Sequence, residues 1–220
     1  MINNYLPYIM RALVMLIVIP FHEAAHAYVS YRLGDSTAKD YGRLTLNPMA
    51  HFDPIGALCL IFAGIGWAKP VPTNANRFKN PKVGMAITAA AGPISNLLLG
   101  YVGMILYKVS YHTWYVAGTP GWVGYYWCTF LYYFVLLNIV LAVFNCIPVP
   151  PFDGSRVAFL FLPREWYFKV MRYERQIFMG MFLVLMFGLL DNVLSTAYNF
   201  VWQIFYYATI YVDLLLGMAI

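Results

Sequence analysis

Charge is what this chain has least of: Asp, Glu, Lys and Arg make up 10% of its 220 residues, against roughly 25% in an ordinary soluble domain. That deficit excludes a water-soluble globule, and the 62% of hydrophobic residues excludes a disordered chain. A coiled coil or a transmembrane β-barrel fits these figures no better. Cysteine is also scarce. Cys59, Cys128 and Cys146 are far apart, odd in number and without a C-x-x-C pair, so they imply neither a disulfide framework nor a thiolate metal site. Long polar stretches are missing too. The longest, residues 32–54 and 69–82, are short and rich in Pro, Gly and Asn, so no appended soluble domain is expected. The first apolar segment lacks the basic flank and cleavage site of a secretory signal and continues past the usual length of one, so it reads as a retained membrane helix.

What the chain does have is apolar length. Its mean hydropathy is +0.65, and runs at about 8–31, 83–108, 122–147, 177–194 and 197–219 are long enough to cross a hydrocarbon core of ~30 Å. Residues 55–67 form a shorter apolar run, ~20 Å as a helix at 1.5 Å per residue, and read as re-entrant or interfacial. The stretch Tyr41–Asn47 alternates residue types as a short β-like hairpin would. The expected architecture is an all-α multi-pass membrane bundle of five to six membrane segments, with that hairpin near the active site. Residues 1–220 form one domain, with a core at about 8–160 and C-terminal helices at about 177–219.

The basic residues orient this bundle. If residues 55–67 do not cross, all of the 14 Lys and Arg except Arg11 and Lys108 fall on one side, and an excess of Lys and Arg marks the cytoplasmic side. The net charge of +5 therefore reads as a topology signal, and the partner it implies is the lipid bilayer rather than nucleic acid. Asp191 and Asp213 read as markers of span ends.

Chemistry enters at Phe21-His22-Glu23-Ala24-Ala25-His26, an H-E-x-x-H motif inside the first apolar span. On a helix, His22 and His26 lie one turn apart on the same face and can ligate one metal ion, while Glu23 can hold and deprotonate a water there. In a soluble helix the motif arises by chance. At membrane depth, three ionisable groups within one turn cost several kcal/mol and mark function. A di-histidine haem site or a proton relay is the other reading of such a pair. Hydrolytic zinc sites have three protein ligands, so a third is required. Asp153, in Pro151-Phe152-Asp153-Gly154 after the third span, returns to the same inner side as the histidines. Alone it reads equally as a turn or helix N-cap residue. His51 and Asp53, in an inner-side loop, are rival third ligands.

Together these residues resemble the site-2 protease family of intramembrane zinc metalloproteases. The likeness runs over most of residues 15–160 through H-E-A-A-H, G-R-L-T-L-N-P, H-F-D-P-I-G, G-W-A-K-P-V-P, A-G-P-I-S-N and N-C-I-P-V-P-P-F-D-G. The resemblance implies one Zn2+ per chain held by His22, His26 and Asp153, with Glu23 as general base. It also places Asn145 near the catalytic centre, where its amide would bond the substrate or the oxyanion, or else satisfy backbone freed by the neighbouring prolines. Asn96 reads as an interhelical bond, with Gly92 permitting close approach. Phe152 stands where the family commonly has Leu. With no residues for PDZ or CBS domains, the chain resembles a minimal branch. The implied partner is a transmembrane protein substrate, cleaved near the cytoplasmic side of a prokaryotic plasma membrane, either for regulated proteolysis or to clear signal-peptide remnants. The competing readings are a metal transporter, a catalytically silent metal- or client-helix-binding protein, and a prenyl-protein metalloprotease. The last would need Glu165 or Glu174 as third ligand, and neither has the matching context.

Overall fold

The computed structural model describes residues 2–56, 68–119 and 121–217. Three long helices, Ile2–Arg32, Pro81–Tyr111 and Trp122–Asn145, carry the fold. Length and apolar composition qualify Tyr5–Arg32, Pro81–Val116 and Trp122–Asn145 as membrane spans, and even 24 residues extend about 36 Å as a helix. They coincide with the first three expected spans. The proposed re-entrant segment 55–67 lies almost wholly outside the described residues.

Burial follows helical periodicity. On the first helix Leu6, Met10, Val14, Val18, His22, His26 and Ser30, each four residues from the next, are buried. On the second, Gly84, Thr88, Gly92, Asn96, Gly100, Met104 and Lys108 do the same. The third buries Gly124, Cys128, Leu131, Val135, Asn138 and Ala142. Contacts pair His22 with Asn96 and His26 with Thr88, so the first two helices run antiparallel. Asn80 starts the second helix by accepting the Val83 N–H at 3.3 Å, with Pro81 in the first turn. Small residues let backbones meet where a bilayer offers no hydrophobic drive between helices. The second and third helices, with residues 198–205 further along, enclose an apolar core of Met104, Val135, Ile139 and Phe205, flanked by Leu97, Tyr101, Val143 and Trp202. Where the first helix meets them, the buried set includes the polar His22, His26, Thr88, Asn96 and Asn138.

The C-terminal part departs from expectation. In place of spans at 177–194 and 197–219, helices Glu174–Met186 and Asp191–Ala208 meet at a break and turn by 82° before a last helix, Ile210–Leu215. The break falls at Gly188, whose φ of +65° is readily open only to glycine. Ser195 and Thr196, in the gap between the two expected spans, are helical, and both hydroxyls bond back to the Asn192 carbonyl, at 3.1 and 2.7 Å. With three spans and one bent pair, the described residues contain up to four crossings by length and composition. Asp213 is also more than an end marker. It is buried and ion-paired to Lys108, whose ammonium also donates to the Tyr206 carbonyl at 3.0 Å.

No strand forms among the described residues, so the hairpin expected at 41–47 is corrected to a series of turns and bends. Gly42 at φ +68° turns the chain, and side chains replace the ladder. Thr45 Oγ1 accepts the Asn47 N–H at 3.2 Å, and Asn47 Oδ1 caps the next helix through the Met49 N–H at 3.0 Å. Arg43 ties this loop to the chain entering the second span by donating to the Lys69 and Pro70 carbonyls. Asp35 does the same from the end of the first helix. Its carboxylate accepts from Ser30, Thr37 and the Asn74 N–H. Burial alone would raise this carboxyl's pKa, but those hydrogen bonds hold it below the usual carboxylate range.

Candidate metal centre

The helical stripe that buries Val14 and Val18 continues through His22 and His26, so the two imidazoles point into the bundle because four residues make about one turn. Pro20 precedes them inside the helix and cannot bond to the Leu16 carbonyl, loosening the helix one turn before the site. Their Nε2 atoms stand 3.0 Å apart. Asp153, 127 residues beyond His26 in sequence, places its Oδ2 at 3.2 Å from His22 Nε2 and 3.1 Å from His26 Nε2. Among the described residues these three form the one His, Cys, Asp or Glu group able to surround a cation.

Close packing makes this convergence possible. Gly92 of the second helix lies against both rings: a Cβ there would sit 2.4 Å from His26 Nε2 and 2.5 Å from His22 Cε1. Asp153 opens the short helix Asp153–Ala158. Its turn is pressed against the end of the third span at Gly154, where a Cβ would come 2.4 Å from the Cys146 carbonyl oxygen. The Phe152 ring meets Phe144 edge-on, with centroids 4.6 Å apart, so the larger aromatic in place of the family's Leu finds a partner.

The outer ring nitrogens decide what the cluster can hold. His26 Nδ1 faces the Thr88 carbonyl at 2.7 Å, a group that only accepts, so this nitrogen carries the proton. His22 Nδ1 faces Asn96 Oδ1 at 2.6 Å and donates likewise. When the rings are neutral, each Nε2 therefore turns a lone pair toward the Asp153 carboxylate oxygen, and the three donors need a proton or a metal cation among them. Asp153 Oδ2 is buried and has no hydrogen-bond partner. Three electron-pair donors this close repel unless a cation lies among them. Tetrahedral zinc with ligands at 2.0–2.2 Å sets donor atoms about 3.3–3.6 Å apart, a little wider than the 3.0–3.2 Å here, so small side-chain shifts fit these residues to that ion.

The other sequence candidates are engaged elsewhere. Buried His51 turns Nε2 to the Thr45 carbonyl at 2.9 Å. Asp53 caps a turn by accepting the Ile55 and Gly56 N–H groups. Neither joins the cluster. Half-buried Glu23 lies beside His22. Asn145 closes the third helix and donates one amide hydrogen to the Leu141 carbonyl at 3.0 Å. Asn96, expected as an interhelical bond, makes two: one to His22 and one to Asn138 of the third helix at 3.0 Å. The sequence reading missed Asn138, whose signal was an amide in the middle of a largely apolar span.

Comparison with known proteins agrees with this geometry. The model of peptidase family M50 matches residues 116–189. Over 153 residues the chain is 41% identical to YwhC of Bacillus subtilis (strain 168), designated a candidate zinc metalloprotease, and covers 68% of that protein. The chain belongs to peptidase family M50. Among more distant M50-like relatives are Rip2 of Mycolicibacterium smegmatis, another candidate zinc metalloprotease, at 29% identity, and the zinc metalloprotease MJ0392 of Methanocaldococcus jannaschii, at 26%. The matches cover 60% and 86% of this chain but 49% and 45% of those proteins, so the M50 chain spans about half of each. No solved structure matches it significantly.

Proposed function

We propose that this M50 protein is a zinc-dependent intramembrane endopeptidase that cuts a transmembrane helix of a substrate protein near the cytoplasmic side of a prokaryotic plasma membrane. Its catalytic core is residues 8–160, joined in one domain with the C-terminal helices. The observation that carries the reading is the His22–His26–Asp153 cluster, whose three donor atoms stand 3.0–3.2 Å from one another, as the ligands of one small cation do. His26 stands six residues before Arg32, the end of its helix, about 9 Å along the axis. That supports a centre below the membrane surface, at the end of the bundle that carries the basic loops. Those loops favour the cytoplasmic assignment.

His22, His26 and Asp153 hold the metal in this reading. Zinc bound there supplies Lewis-acid polarisation of the scissile carbonyl and lowers the pKa of water toward neutrality. Glu23, one residue from the first ligand, takes the proton from the attacking water and passes it to the leaving amine. Asn145 has a second amide hydrogen with which to meet the developing oxyanion, a contact worth about 3–4 kcal/mol in other enzymes. A substrate helix hides its carbonyls in its own hydrogen bonds, so the cleaved segment must unwind before it reaches these groups.

The test is metal content and turnover of the detergent-purified protein, using a transmembrane reporter peptide. Wild type is expected to carry one zinc per chain, Asp153→Ala to lose it, and Glu23→Gln to keep it without cleaving. Zinc retained in Asp153→Ala would remove that residue from the ligand set, and cleavage by Glu23→Gln would remove the general base.

A further inference from the structure

Behind His22 the hydrogen bonds run in one direction. The Phe134 carbonyl accepts and cannot donate, so Asn138 must turn its NH2 toward it, at 2.8 Å. Its Oδ1 then faces Asn96, whose NH2 donates to it across 3.0 Å. The Oδ1 of Asn96 is left facing His22 Nδ1 and requires a proton on that nitrogen. Reversing Asn138 would set its oxygen against the Phe134 carbonyl, and reversing Asn96 would set its oxygen against Asn138 Oδ1. Asn96 and Asn138 are both fully buried, so water cannot relax this order. The polarity of one backbone carbonyl on the third helix passes through the second helix to a ring nitrogen on the first.

We propose that Asn138 is a positioning residue for the metal centre. It holds the Asn96 amide in one orientation, and through it holds His22 as the Nδ1–H tautomer with Nε2 bare. The inference rests on the zinc reading above and extends it to a residue that touches neither metal nor ligand. Partners of metal-bound histidines typically alter metal affinity 10–100-fold when removed. The surroundings give Asn138 no other need to be polar: apolar Ile139 and Gly100 pack beside it, and a leucine of similar size would suit a purely space-filling role.

The test uses the full chain in detergent. Three quantities are measured on each variant: zinc affinity by chelator competition, the visible spectrum of the Co2+-loaded protein, and the thermal midpoint. Asn138→Leu is expected to weaken zinc binding about 10–100-fold and to change the cobalt spectrum. Asn138→Asp is expected to restore both toward wild type, because a protonated carboxyl can donate to Phe134 and accept from Asn96. Should Asn138→Leu not fold, Asn138→Ala carries the same comparison. Wild-type affinity and spectrum in a folded Leu or Ala variant overturn the proposal and leave the zinc reading standing, as does a loss in Asn138→Asp equal to that in the apolar variants. Absence of zinc from folded wild type overturns the zinc reading itself.

Discussion

Two regions of the helical bundle share the second and third helices yet are held in different ways. Around Met104, Val135, Ile139 and Phe205 the contacts are apolar and shape-dependent. Around His22, His26, Asn96 and Asn138 they are directional, each atom committed to one partner. Apolar packing between membrane helices tolerates small shifts, because lipid tails would cover the same surface. A network of donors and acceptors does not, because a misplaced buried polar group is left unsatisfied. The difference shows how a membrane bundle can be forgiving in one region and exacting in another.

Substitutions should break this comparison in order of how directly they strike the exacting region. The largest effect is expected from Gly92→Ala. Its new Cβ would lie within 2.5 Å of both imidazoles, so metal binding and cleavage should be lost, and chelator competition reads that loss directly. Gly154→Ala comes next. Overlap with the Cys146 carbonyl should push Asp153 out of register and weaken zinc binding as strongly as Asp153→Ala, with the histidines untouched.

In the apolar region the expected change is in stability alone. Met104→Ala should lower the unfolding free energy by about 2–5 kcal/mol, measured by chemical denaturation in micelles, at wild-type zinc affinity. A comparable loss of zinc affinity would erase the distinction between the regions. The Lys108–Asp213 pair sharpens it from within the apolar region: Lys108→Met should cost about 3 kcal/mol by stranding a buried carboxylate, and Asp213→Leu added to it should recover most of that loss.

The smallest effect belongs to Asp35. Its folded pKa lies below its unfolded value, so its stabilisation is complete above the unfolded pKa, near 3.9, and fades as pH falls through the folded one. Thermal midpoints of wild type should therefore hold steady from neutrality to about pH 4 and drop below it. Asp35→Asn should start lower and lack this component of the drop, and a parallel pH profile in the variant would assign the acid sensitivity to other carboxylates.

Much of the architecture was legible because membrane spans and local ligand pairs are written in short stretches of chain. The first three spans followed from apolar length. The break at Gly188 did not: the expected boundary fell between 194 and 197, where Ser195 and Thr196 are helical and bond to the Asn192 carbonyl. Residues 41–47 alternate as a strand does, yet Gly42, Thr45 and Asn47 satisfy that backbone locally.

The candidate site divides along the same line. His22, Glu23 and His26 are set by sequence alone, since backbone hydrogen bonding fixes residues one turn apart on one face whatever surrounds the helix. Which distant side chain completes the cluster was open among Asp153, His51 and Asp53. Only the docking of the turn at Gly154 on the third helix brought Asp153 to about 3 Å from both imidazoles. The protonation of those imidazoles was decided further away still, by Thr88, Asn96 and Asn138, because the direction of a hydrogen bond depends on what lies across the interface.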